Sequence, residues 1–348
     1  MKTMIVGGGL SGLALADSLE RAGHGYLLLE ARDRFGGRIL SDRFGGASFD
    51  LGPTWFWPGQ PRIAALIDRL GLEAFEQYAT GDMTFEDERG RVGRGAGFAS
   101  MAGSWRIAGG LGAVTQKLAE GLPASRKRLG ARVTALSRTD GGVNAALSTG
   151  EVLNAAEVVL ALPPRLCAEI AFTPPLPAEA LRKMNEVATW MAGQAKAVAL
   201  YDAPFWRDAG LSGDATSRCG PMVEIHDASP ANGGPYALFG FIGVPPAAHA
   251  DERILREQVK VQFGRLFGPA ASAPAALFLK DWASDPLTST EADKEPLFTH
   301  PAYGTPREIV GLWDDRMRFA GTEVAPMFGG YVEGALEAAE NVLNAKKR

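Results

Sequence analysis

The chain has 348 residues with 36 basic and 40 acidic side chains, a net charge of −4 and 46% hydrophobic residues. That length carries one large or two intertwined domains with a substantial core, and the near-balanced charge excludes an electrostatic case for nucleic acid or an anionic membrane. Two cysteines, Cys167 and Cys219, exclude a disulfide framework and are not spaced as metal ligands. No apolar stretch approaches the roughly 20 residues of a membrane span. The first apolar strand begins at Met4, which leaves no room for a signal peptide, so a cytoplasmic location is expected.

In chain order, Met4-Ile5-Val6 reads as a short buried strand, and Gly7-Gly8-Gly9-Leu10-Ser11-Gly12 follows at once with GxGxxG spacing. Gly7 allows a tight turn, Gly9 lets the backbone approach a pyrophosphate, and Gly12 lets helix and strand pack closely. Leu13 to Ala22 reads as an amphipathic helix whose N-terminal N–H groups face the phosphates. Tyr26 to Leu29 is a second strand ending in Glu30, 18 residues past Gly12, where a carboxylate accepts hydrogen bonds from a ribose diol. Strand, glycine turn, helix, strand and acid arrive in the order that an adenine dinucleotide requires. Next come Ala31, Arg32 and then Gly36-Gly37-Arg38, a bare backbone followed by a guanidinium fork suited to phosphate.

This run, Leu29 through Arg38, resembles the LEAR-x-R-x-GGR fingerprint of the flavin-containing amine oxidases, the monoamine oxidase and L-amino-acid oxidase superfamily. NAD dehydrogenases lack the second glycine turn, so the resemblance implies FAD. It extends to Asp50-Leu51-Gly52-Pro53-Thr54-Trp55, similar to the family's loop under the flavin ring, and to Gly109-Gly110. It also takes in Ala131 to Val133 through Pro164; in the family the valine matching Val133 touches the adenine through its backbone. Near the end, Phe319-Ala320-Gly321-Thr322-Glu323 and Gly329-Gly330-Tyr331-Val332-Glu333-Gly334-Ala335 match the family closely. By resemblance Gly321, Glu323, Gly330 and Val332 belong to the cofactor side, with the last helix presenting its N-terminus to the flavin pyrimidine.

Between these motifs the pattern predicts a helix over 63–70, a hairpin over 83–94 and a helix over 111–120. Two strands over 132–137 and 143–148 and an apolar strand over 158–162 follow. Strands near Ala197, Ala237 and Leu277 and a helix over 251–267 make a second, sheet-and-helix unit; a strand over 317–321 and a helix over 331–345 close the chain. The fold class is α/β: a Rossmann-type FAD domain (1–58, 105–172 and 284–348) interleaved with a smaller α+β substrate domain (59–104 and 173–283).

Lys196 lies inside the otherwise apolar run Ala195 to Tyr201. A lysine there is costly unless its charge is satisfied or lost, or unless the strand is an edge that the charge protects. In the family the matching lysine holds a water on the flavin and assists oxygen reduction. The resemblance therefore implies a primary or secondary amine that loses a hydride equivalent to FAD, with O2 as acceptor and hydrogen peroxide as product. The four histidines, His24, His226, His249 and His300, form no metal spacing and no visible triad, and solvated or structural roles are expected.

Two departures bear on substrate. Of the family's two cage aromatics, Tyr331 matches one; the other, counted from Trp282 of Asp281-Trp282-Ala283-Ser284-Asp285-Pro286, falls on Ala292. The covalent cysteine some members carry would fall on Glu291, so FAD is expected to be noncovalent. The chain between Trp55 and Gly109 is also much shorter than in full-size monoamine oxidases. Trp206, with Trp190, Met191, Phe205, Met222 and Phe239, is a candidate pocket residue that core packing explains equally well. Alternative readings are a renalase-like oxidase of reduced dihydropyridines, a flavin-dependent desaturase or isomerase, and a flavoprotein without turnover. Self-association is left open.

Overall fold

The computed structural model describes residues 2–249, 251–295, 297 and 299–346, without the side chains of 249 and 346. Met1 and residues 347–348, the outer ends of the expected FAD domain, and the His249 side chain lie outside the described part.

The first sheet is parallel, in the order Met317–Phe319, Glu157–Leu160, Thr3–Val6, Tyr26–Leu29, Lys127–Arg128. Its strands are apolar on both sides because both faces are covered, as a parallel sheet demands. Ile5, Leu28 and Val159 point to a helical layer formed by Leu10–Arg21, Gly112–Gly121 and Val332–Lys346. Met4, Val6, Leu27, Leu29, Val158 and Leu160 point the other way, onto Leu136, Val143, Ala145 and Leu147. These belong to a four-stranded sheet in the order Val152–Ala155, Gly142–Leu147, Val133–Thr139, Ala171–Thr173.

A seven-stranded sheet forms the other half, in the order Ala276–Asp281, Ala195–Tyr201, Tyr236–Ile242, Met222–Asp227, Leu211–Ser217, Asp82–Glu86, Val92–Gly95. The expected hairpin over 83–94 is its outer edge. One face buries Ala195, Ala197, Ala199 and Tyr201 against Leu255, Val259, Phe263 and Leu266 of the helix Glu252–Phe267. The opposite face, by the two-residue alternation of a strand, carries Val198 and Leu200 and packs on Phe49, Leu51 and Trp55. Lys196 shares that second face and so points toward the first half of the molecule. The fold is α/β, with the Rossmann-type sheet that the first 38 residues announce.

Candidate active site

One cavity of about 590 Å³ is lined by both halves. From the parallel sheet come Gly7, Gly9, Leu10 and Ser11 of the first turn, then Glu30, Ala31 and Arg32, and Gly36, Gly37 and Arg38. Val133, Gly321, Gly330, Tyr331 and Val332 also line it. Gly52, Pro53, Thr54 and Trp55 lie between the halves, and Lys196, Glu224, Phe241 and Trp282 come from the seven-stranded side.

At the dinucleotide end the geometry follows from the glycines. A Cβ on Gly12 would sit 1.9 Å from the Gly7 carbonyl oxygen, so only glycine lets the helix Leu10–Arg21 start this close to the first strand. Gly12 is therefore behind the cavity wall, not in it. A Cβ on Gly9 would meet nothing nearer than 4.0 Å, so its bare backbone faces open space. The Ser11 hydroxyl donates to the Ala320 carbonyl and ties the turn to the last strand. Glu30 is buried and accepts the Gly8 N–H at 2.7 Å and the Arg32 N–H at 2.8 Å. The Arg32 guanidinium is bidentate to Asp285 at 3.0 and 2.9 Å and also reaches Thr288 at 3.0 Å. It pins the Asp285-Pro286 turn beside the second strand.

Arg38 lines the cavity with its Nη1 2.7 Å from Glu323 Oε1. Burial works against the Arg38 charge, and the Glu323 carboxylate outweighs it, so the guanidinium is held more firmly charged than usual. Glu323 itself is fully buried and does not line the cavity. Its place is behind Arg38, as the counter-charge.

Lys196 sits on a central strand, paired in register with Phe241 on one side and Lys280 on the other, so edge protection does not explain it. Only 3% exposed, its Nζ donates to the Gly52 carbonyl at 3.1 Å and to Thr54 Oγ1 at 2.5 Å, 4.0 Å from the Phe239 ring centre. Burial drives its pKa down to about 7, partly countered by Asp50. A shift from 10.5 to about 7 makes the charged form cost on the order of 5 kcal/mol more than in water. A purely structural position would be filled more cheaply by leucine or methionine.

Tyr331 and Trp57 line the same end, their rings 6.1 Å apart and edge to face, and Trp190 and Met191 are there too. His300 stacks on Tyr331 at 4.9 Å and meets Trp190 at 4.8 Å. It packs against the tyrosine ring while staying exposed to solvent. Ala292 is not beside them. It is exposed on the short 3-10 helix Glu291–Lys294, which a Thr290–Asp293 capping box closes on itself. The gap-free count from Trp282 thus leads out of the pocket, and the aromatic surface near Tyr331 comes from Trp57 and Trp190.

Trp206 also lies outside the cavity. It is fully buried in the core of the seven-stranded half, where its indole N–H donates to Asp227 Oδ2 at 2.9 Å. Phe205, Met222 and Phe239 likewise do not line the cavity, whereas Trp282 does and donates to the Leu51 carbonyl at 2.9 Å.

Sequence reasoning missed Glu224, Phe241, Gln194, Trp57 and Met101, all of which line the cavity. It also missed that Asp214, His226 and Glu224 meet. His226 Nδ1 is 2.6 Å from Asp214 Oδ1 and its Nε2 is 2.9 Å from Glu224 Oε1. Glu224 and His226 share one face of the strand Met222–Asp227 by their two-residue spacing, whereas Asp214 comes from the neighbouring strand Leu211–Ser217, which no sequence spacing announces.

A parallel dinucleotide sheet joined through one cavity to a sheet bearing a buried lysine defines a two-part redox enzyme. The family model described as flavin containing amine oxidoreductase matches residues 10–97 and 96–343, and the chain belongs to that family. A putative flavin-containing monoamine oxidase of Mycobacterium tuberculosis is 26% identical over 97% of this chain and 94% of its own length. Putrescine oxidase of Kocuria rosea is 25% identical over 98% and 95%. Amine oxidase B of Sus scrofa is 26% identical over 97% and 84%. The Mycobacterium comparison runs over 437 aligned positions against a chain of 348, so the relative carries the extra length. Among solved structures, putrescine oxidase bound to putrescine superposes with a TM-score of 0.83 at 21% identity, covering 100% of both chains. Cyclohexylamine oxidase from Brevibacterium oxydans does so at 0.81 and 20%, covering 100% of this chain and 99% of that one. These two likenesses establish the fold. Among the described residues no helix is long and apolar enough to cross a membrane.

Proposed function

We propose that the chain is an oxidase of a primary or secondary amine and holds FAD noncovalently along the cavity. The observation that carries this reading is Lys196: a buried lysine on an interior strand, its pKa driven down to about 7 by burial, opening on the same cavity as the glycine turn and Tyr331. When bound, FAD supplies the electron acceptor, taking a hydride equivalent from the amine α-carbon and passing the electrons to O2, which leaves as hydrogen peroxide.

The residues suit an extended dinucleotide. The turn Gly7 to Gly12 and the N–H groups opening the helix Leu10–Arg21 receive the pyrophosphate, and Glu30 accepts from the ribose. The Val133 backbone meets the adenine, and Arg38, backed by Glu323, supplies positive charge. At the far end the N-terminus of Val332–Lys346, with Gly330 and Tyr331, stabilises negative charge on the pyrimidine ring. Lys196, anchored to Gly52 and Thr54, holds a water between them and the reacting centre. Trp57, Trp190 and Tyr331 exclude bulk water and orient the amine, which enters neutral and so requires no strong base. Neither cysteine lines the cavity, and burial pushes the Cys167 thiol well above the usual range, which supports noncovalent binding. In this reading the FAD domain comprises 1–58, 105–172 and 284–348, and the substrate domain 59–104 and 173–283.

The test is anaerobic bleaching of the flavin absorbance by two panels, amines and reduced nicotinamides with their isomers. Bleaching by amines, reversed by air with peroxide release, is the expected result. Bleaching by dihydronicotinamides alone overturns it in favour of a dihydropyridine oxidase.

A further inference from the structure

We propose that a second cavity, on the far side of Trp55 from the first, is a binding site for a small monocarboxylate held by the free edge of the Arg207 guanidinium. This cavity is about 380 Å³ and opens between the segment Phe75 to Thr80, the turn Ala102-Gly103, Arg207 and the stretch Ser229 to Ala231. The two cavities share no lining residue, yet one wall divides them. Gln77, on the second, accepts the indole N–H of Trp55, on the first, at 2.8 Å. Met101 lines the first and its neighbour Ala102 the second.

Arg207 is fixed in advance. Its Nε and Nη2 donate to Asp227 at 2.8 and 2.9 Å, and Asp227 is itself held by Trp206 Nε1 at 2.9 Å and the Ser229 N–H at 2.8 Å. The guanidinium lies 3.9 Å from the Tyr78 ring centre, with the Tyr236 ring at 5.8 Å. Paired along one edge and stacked on one face, it loses little further freedom when a ligand arrives. Among the described residues none accepts from Nη1, so the Nη1–Nη2 edge keeps a fork that a carboxylate matches with two hydrogen bonds.

A second guanidinium backs the same wall. Arg106 is buried, donates to the carbonyls of Ser229 at 2.7 Å and Ala228 at 2.8 Å, and lies 5.0 Å from the Phe75 ring centre. Ser229 and Phe75 both line the cavity. No described carboxylate accepts from Arg106, its Nε is buried without a partner, and burial works against its charge. Positive charge buried behind a wall stabilises an anion in front of it. Glu76 also lines the cavity, exposed and bonded to no described cation, so a dianion meets a like charge there. Phe75 and Pro230 offer apolar contact to the rest of a monocarboxylate.

The experiment titrates benzoate, and separately sulfate, into the purified protein by isothermal calorimetry, for the wild type, Ala231→Trp and Arg207→Lys. The wild type is expected to bind benzoate, and sulfate about tenfold more weakly or less. Ala231→Trp fills the cavity from its exposed side, leaves the Arg207–Asp227 pair in place and lowers benzoate affinity about tenfold or more. Arg207→Lys keeps the charge, loses the fork and lowers it about tenfold. Benzoate that binds wild type and Ala231→Trp equally lies elsewhere and overturns the inference, even if Arg207→Lys fails to fold. No saturable benzoate binding to the wild type overturns it as well, and so does sulfate that binds as tightly as benzoate.

Discussion

The two ends of the cavity are built by different physical means. At the glycine-turn end the wall is largely backbone: Gly9 faces open space, Gly12 behind it has no room for a Cβ, which would sit 1.9 Å from the Gly7 carbonyl oxygen, and Glu30 is fixed by the N–H groups of Gly8 and Arg32. At the Lys196 end the wall is side chain, brought together across strands and loops: Lys196 beside Phe241, Phe241 beside Glu224, Tyr331 beside Trp57. Backbone recognition depends on consecutive residues, whereas side-chain recognition depends on sheet register and on loops far apart in sequence.

The largest expected effect breaks the first end alone. Gly9→Val places a side chain where a Cβ meets nothing within 4.0 Å, so the fold is kept while the dinucleotide path is blocked. The purified variant should be colourless with an unchanged far-ultraviolet spectrum. A fully yellow Gly9→Val protein contradicts the placement.

A smaller effect separates the buried lysine from an ordinary core residue. Its ordinary pKa is 10.5 and its folded value about 7. Between those values the unfolded chain binds more protons, so wild-type stability rises with pH through that window. The wild type should therefore gain on Lys196→Met as pH rises above about 7, by up to on the order of 5 kcal/mol. Chemical unfolding curves on either side of neutrality check this, and a difference independent of pH contradicts it.

The smallest effect is on Trp206. Trp206→Phe removes the indole N–H from buried Asp227, which Arg207 still contacts at 2.8 Å. The expected loss is about 1–3 kcal/mol of stability with amine kinetics unchanged. An altered KM at full stability would return Trp206 to the pocket.

These contrasts explain how much was readable beforehand. The Rossmann-type sheet, the glycine turn, Glu30 and Arg38 were legible because their chemistry is written in adjacent residues. Lys196 was legible as a charge in an apolar run, although only the structure shows its strand to be central. Glu224 and His226 were not, because Asp214 and Ser100, which meet them, come from other segments that sequence cannot align with their strand. Ala292 was assigned by counting along a segment that turns outward, and Trp206 because an aromatic near a substrate domain looks the same in core and pocket.

The most direct test of the central claim, that Lys196 serves the reacting end of the cavity, is stopped-flow reoxidation by O2 of the anaerobically reduced protein, wild type against Lys196→Met. The account predicts that both proteins retain flavin and that the variant reoxidises much more slowly. Equal reoxidation rates in two equally yellow proteins would contradict it.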